Sequence, residues 1–122
     1  MQKSGKDYPK RGQIYIADLD PGFGREIHKK RPVLIISDNA FNQTATHAII
    51  IPSSSVIPST LSSEIIPIGR PRGFEKESVL LPLFIRSIDQ DRLIKKIGKI
   101  SKQKLLEVEE ALKLILGFMP VE

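Results

Sequence analysis

The apolar residues of this chain come in short bursts, and each burst meets a turn former before it could wind into a helix. GQIYIADL stops at Asp20-Pro21-Gly22, RPVLIIS at Ser37-Asp38-Asn39, and HAIIIP at a run of serines. EIIPIG and SVLLPLFIRSI are separated by the basic turn GRPRGFEKE. Runs this short, rich in β-branched residues and bounded by Pro, Gly, Asp and Ser, are strands. Pro67 and Pro82 place edges or bulges in the last two, because proline donates nothing to a ladder. No strand is followed by a helix long enough for a βαβ crossover, so the pattern predicts a small barrel or strongly bent antiparallel sheet.

Helical signals are few. DNAFNQTAT and DQDRLI predict single turns, and KKIGKI a last short strand. Ser101 is an N-cap for SKQKLLEVEEALKLILG, where Leu105, Val108, Leu112, Ile115 and Leu116 share one face. Gly117 closes that helix as a C′ glycine. The fold class is therefore mainly β with a terminal helix. Residues 1–11 form a basic N-terminal arm, expected to be mobile; 12–118 form one domain and 119–122 a short tail. The serine- and proline-rich stretch PSSSVIPSTLSS is expected to be largely loop.

The formal charge is +5 with a pI near 9.6, which favours a polyanionic partner. With no cysteine there is no disulfide and no thiolate metal site. His28 and His47 are far apart and unflanked by acid pairs, so no metal and no cofactor is expected. The N-terminus lacks the apolar core of a secretory signal, and no apolar run approaches the roughly 20 residues that span a bilayer. A cytoplasmic protein without a membrane partner is the expectation.

Much of the charge lies at the mouth of one strand, in GREIHKKRPVLIIS: Arg25, Lys29, Lys30 and Arg31 surround Glu26 and His28. RNA carries its own nucleophile, the 2′-hydroxyl. Cleavage then needs a base, an acid for the leaving 5′-oxygen and a fixed cation near the non-bridging oxygens. A guanidinium suits the last role because it is always charged and grips phosphate bidentately. The competing reading of this stretch is a solvated basic loop.

RGQIYIADLDPGFGREIHKKRPVLIIS resembles the N-terminal signature of the MazF/PemK (Kid-like) toxins of bacterial toxin–antitoxin systems. That signature runs R-G-[DE]-[IV]-[WY], D-L-[DS]-P, G-x-E, R-P-[VC]-[LI]-[VI]. Ala40-Phe41-Asn42, HAIIIPSSS and GFEKESVLL…IRSIDQDRL follow in order, so the resemblance covers roughly residues 11 to 117. It implies an SH3-like, CcdB-type barrel with a C-terminal helix, assembled as a homodimer. It implies a sequence-specific, metal-independent endoribonuclease (an mRNA interferase) that cleaves single-stranded RNA to 2′,3′-cyclic phosphate and 5′-hydroxyl ends. A cognate acidic antitoxin would silence it by filling the RNA groove.

On the same resemblance, Arg31 is the catalytic cation and a possible general acid, and Glu26 orients Arg31 or shares base duty. The hydroxyl after the proline-ended strand is Ser54, with Ser53 and Ser55 one residue either side. Arg25, His28, Lys29, Lys30, Ser53, Ser55, Arg70, Arg72, Phe84 and Arg86 are the RNA-binding candidates. Relatives often carry an acid and a glutamine before the I-R-[ST]-[IL]-D motif; Leu83 and Phe84 stand there instead, so a mechanism using that acid does not transfer. Phe84 either stacks on a base or belongs to the core. The alternatives are a non-catalytic toxin on the same fold, as in the CcdB-like gyrase poisons, and an inactive RNA-binding module.

Overall fold

The computed structural model describes residues 7–119. Its strands are β1 (Gln13–Asp18), β2 (Lys30–Ile35), β3 (His47–Ser54), β4 (Ile66–Gly69), β5 (Ser78–Leu80), β6 (Arg86–Asp89) and β7 (Leu93–Lys99); its helices are α1 (Asn39–Thr44) and α2 (Lys102–Ile115). The strands pair antiparallel in the order β4-β5-β3-β2-β1-β7, and β6 adds to β3. The result is a bent half-barrel sheet with α2 packed against it, the mainly β architecture that the short apolar runs predict.

The apolar run of β2 is buried on both faces, as its lack of alternation requires. Leu34 joins Ile14, Ile51, Phe74, Leu80, Val108 and Ala111 in the core under α2. Val33 and Ile35 point the other way, into a second cluster with Ala17, Leu19, Ile50 and Ile88. Burying such a side chain fully is worth about 1.5–3 kcal/mol, so β2 is fixed in register by both clusters. Whatever stands at its entrance is rigidly mounted.

α2 begins as expected, with Ser101 Oγ accepting from the Lys104 N–H, and ends at Gly117 with φ of +79°. Leu105, Val108, Leu112 and Ile115 pack on the core; Leu116 does not, being half exposed beyond the last turn, and Ala111 takes the inward place instead. Six residues of the expected N-terminal arm lie outside the described residues. Arg11, assigned to that arm, donates from Nε to the Ile36 carbonyl and pairs with Glu109 of α2.

Two strand readings need correction. β3 continues past Pro52 through Ser53 and Ser54, which pair with Leu80 and Val79, so the serine stretch begins as strand. SVLLPLFIRSI is not continuous. Both flanks pair with the same edge of β3, Val79 and Leu80 at one end and Arg86 to Asp89 at the other. Between them Pro82–Phe84 forms a 3₁₀ turn, closed by Phe84 N–H to the Leu81 carbonyl and Ile85 N–H to the Pro82 carbonyl. Pro82 begins the turn, where a missing N–H costs nothing. The turn lifts Leu83 and Phe84 out of the ladder onto the surface. Pro67, by contrast, lies on edge strand β4 beside a register shift, as expected.

Candidate nucleic-acid interface

The loop between β1 and β2 is tied at its base. The Leu19 N–H reaches the Lys29 carbonyl, and Asp20 Oδ1 accepts from the Lys29 N–H at 2.9 Å and meets His28 Nδ1 at 3.0 Å. Arg92 Nη1 donates to the carbonyls of Asp18 and Asp20, at 3.1 and 2.6 Å. The Lys29 N–H bond, first, and the His28 ring hold the Asp20 carboxyl below its ordinary pKa. Lys29 itself sits at φ of +71°, a conformation that costs a side chain of this size and is held by those bonds.

This base positions Arg31. Its Nε donates to the His28 carbonyl at 2.8 Å and its Nη1 to the Ser53 carbonyl at 3.0 Å. Among the described residues no carboxylate is ion-paired with it. Partial burial pulls its pKa down, and the more distant charge of Asp20 pulls it back. The guanidinium is thus anchored on two neutral carbonyls and, among the described residues, without a direct ion pair, leaving Nη2 for a ligand. A guanidinium stays protonated under such a shift, which argues for a fixed charge over a proton donor.

Arg31 opens into a cleft of about 530 Å³ lined also by Ile16, Lys30, Pro32, Ser53, Ser54, Ser55, Phe74, Glu75, Lys76 and Ser78. The three serines are not equivalent. Ser53 is 2% exposed and its hydroxyl donates to the Pro32 carbonyl at 2.6 Å, so it braces the cleft floor rather than facing a ligand. Ser54 Oγ accepts from the Val56 N–H at 3.1 Å and keeps its own proton to donate. Ser55 is exposed on the rim.

Glu26 does not orient Arg31. Its Oε1 accepts from the Phe23 N–H at 2.7 Å and its own N–H reaches the Phe23 carbonyl, closing the loop tip around Gly24 (φ +60°). With Phe23, Arg25, Ile27, Leu83, Phe84, Ile85 and Arg86 it lines a second cleft. Phe23 is 84% exposed, Leu83 56% and Phe84 37%, so Phe84 is not core. The sequence-derived residues therefore divide: Lys30, Arg31 and the serines gather in one cleft, and Arg25, Glu26, Phe84 and Arg86 in the other. His28 and Lys29 serve the loop base. Arg70 donates from Nε to the Phe74 carbonyl, bracing the 70–77 turn, and Arg72 is exposed beside it.

Sequence reasoning missed Glu75 and Lys76, which line the Arg31 cleft, and Arg92, which ties the loop. All three stand within the GFEKE and IDQDRL blocks, the only signal that pointed to them. Among the described residues no group of three or more His, Asp and Glu side chains could hold a metal ion, and no helix is long and apolar enough to cross a membrane.

Residues 10–116 match the family described as PemK-like, MazF-like toxin of type II toxin–antitoxin system. The chain is 36% identical over 111 residues to Endoribonuclease EndoA of Bacillus subtilis (strain 168), covering 90% of this chain and 96% of that one. It is 32% identical to Endoribonuclease MazF9 of Mycobacterium tuberculosis, with 88% and 95% covered. Its fold is that of MazF from Deinococcus radiodurans (TM-score 0.77, 23% identity, 90% and 97% covered). It is equally that of a mycobacterial endoribonuclease solved with its cognate antitoxin (TM-score 0.73, 22% identity, 93% and 99% covered). The match over nearly the whole length and the Arg31 cleft agree: this chain belongs to the PemK-like, MazF-like toxin family of type II toxin–antitoxin systems.

Proposed function

We propose that this chain is a sequence-specific, metal-independent endoribonuclease of single-stranded RNA. The ribose 2′-oxygen forms a bond to the adjacent phosphorus while the bond from phosphorus to the 5′-oxygen breaks. The 2′ proton passes to a base and the leaving oxygen takes up a proton, giving 2′,3′-cyclic phosphate and 5′-hydroxyl ends. The single observation that carries this reading is the Arg31 guanidinium, anchored by the His28 and Ser53 carbonyls and, among the described residues, in direct ion pair with no carboxylate. A cation fixed before the reaction stabilises the charge that develops on the non-bridging phosphoryl oxygens without reorganising.

Ser54, with a hydroxyl proton free to donate, is the second phosphate contact. The carboxylate on this cleft is Glu75, not Glu26, so Glu75 is the candidate base. Glu26 acts by shaping the loop tip. The second cleft receives an unpaired base: Phe84 and Phe23 offer faces for stacking, worth about 1–3 kcal/mol per base, and Arg25 and Arg86 flank them with charge. Unpaired strands are read in this way, by splayed bases on aromatic faces.

We assign to the chain the partners of its family, a second copy of itself and an acidic antitoxin. Exposed apolar side chains on and after α2 (Leu106, Leu114, Leu116, Phe118) supply surface for such contacts, and sedimentation of the purified chain tests the dimer.

The deciding experiment incubates the protein and its Arg31→Ala variant with a long single-stranded RNA in EDTA and maps the product ends. Discrete cuts with cyclic-phosphate and 5′-hydroxyl ends, lost in the variant, are expected. Loss of cutting on chelation, or full cutting by a folded Arg31→Ala protein, overturns the mechanism.

A further inference from the structure

The Arg31 cleft does not end at β2. Ile16 of β1, which lines it, lies between Pro32 of β2 and Lys95 of β7 in the sheet register. Directly opposed residues in adjacent strands project from the same face, so Pro32, Ile16 and Lys95 form a row across three strands. β7 carries a register shift between its pairings with Ile14 and Tyr15, so its faces follow from the paired residues rather than from plain alternation. Ile16 shares its face with Ile14, which lies in the core under α2, and Lys95 opposite Ile16 is therefore on that face. Lys96 registers with Tyr15 instead, on the face of the second apolar cluster. Lys95 is exposed and, among the described residues, makes no ion pair. β7 is the edge of the sheet path, so nothing paired beyond it blocks the row.

We infer that Lys95 is a substrate-positioning residue that holds a backbone phosphate of the RNA, so that the strand leaves Arg31 across β1 and onto β7. The inference rests on the ribonuclease reading above and adds a direction to it. Lys95 lies two strand spacings from β2, roughly 10 Å, so it holds a phosphate neighbouring the scissile one and takes no part in the chemistry.

The test measures binding of a 2′-O-methylated single-stranded oligonucleotide spanning a mapped cut site, as a function of salt, together with kcat and KM on the unmodified RNA. Lys95→Ala is expected to make the salt dependence shallower by about 0.7 in log K against log salt, one lost phosphate contact on a single strand. KM should rise several-fold with kcat unchanged. Lys95→Arg should restore both, and Lys96→Ala, one residue away on the other face, should leave the slope as in the wild type. A Lys95→Ala protein with wild-type slope, or one matched by Lys96→Ala, overturns the inference while leaving the nuclease reading intact. A wild-type protein that neither binds nor cuts RNA overturns both.

Discussion

The Arg31 cleft and the Phe84 cleft draw on the same segment, residues 23 to 31, yet differ in what they hold and how firmly. Arg31 enters on a strand buried on both faces, with its guanidinium tied to two carbonyls beside a serine braced from below. Phe84 enters on a turn lifted out of the sheet, opposite a loop tip held chiefly by its own Glu26. The first arrangement holds a charge on two anchors at the end of a buried strand, the kind of rigid mounting that stabilising a transition state demands. The second offers adaptable apolar faces, suited to gripping a base but not to moving a proton. On the proposed function, the rigid cleft carries the chemistry and the exposed aromatic surface the recognition.

That contrast can be broken most directly at Arg31. Arg31→Ala is expected to lower cleavage on the order of 10³-fold or more, as loss of a preorganised charge does, with a smaller loss of RNA affinity and an unchanged fold by circular dichroism. Wild-type turnover would remove the basis for calling this cleft the reaction site. The two carboxylates sharpen the comparison next. Single-turnover rates should fall about 10²-fold or more for Glu75→Gln, as for a lost general base. Glu26→Gln should stay within about tenfold; the reverse order would move the base into the Phe84 cleft. Phe84→Ala, third in size, should raise KM by the equivalent of about 1–3 kcal/mol of lost stacking and leave kcat alone. A pure kcat effect would mean that Phe84 holds the reacting geometry instead.

The smallest effect concerns acid. The Lys29 N–H, and after it His28, hold the Asp20 carboxyl below its ordinary pKa. Its contribution to stability is complete above the unfolded value, about 3.9, and is lost as pH falls through the lower folded value. The loop base should therefore loosen only in strong acid. Asp20→Asn should flatten the part of the thermal-midpoint profile below about pH 4 and leave the neutral region flat. An equal acid slope in both proteins would mean that other carboxylates govern it.

The local pattern made the strands, the capped helix and the basic mouth of β2 legible. Strand runs are bounded by turn formers whose chemistry is local, and the Ser101 and Gly117 caps act within a few residues. Arg31 and Ser54 were singled out through the motif, and both line one cleft. The order of the serines was not legible, because which hydroxyl turns inward depends on the pairing of β3 with β2 and β5. The fate of SVLLPLFIRSI was hidden for a related reason. Apolar content marks strand and exposed turn alike, and only the way both flanks pair with β3 forces the middle outward.

The sequence by itself determined that this chain builds an antiparallel sheet, ends in one amphipathic helix and carries a basic strand entrance of the PemK-like, MazF-like kind. The tertiary structure alone decided that Glu26 and Arg31 part company, that Glu75 and Lys76 join Arg31 in one cleft, and that Lys95 and not Lys96 shares the face of Ile16 and Pro32. Those decisions turn on strand register and loop closure between residues far apart in the chain, and a one-residue difference in register reverses which side chains meet.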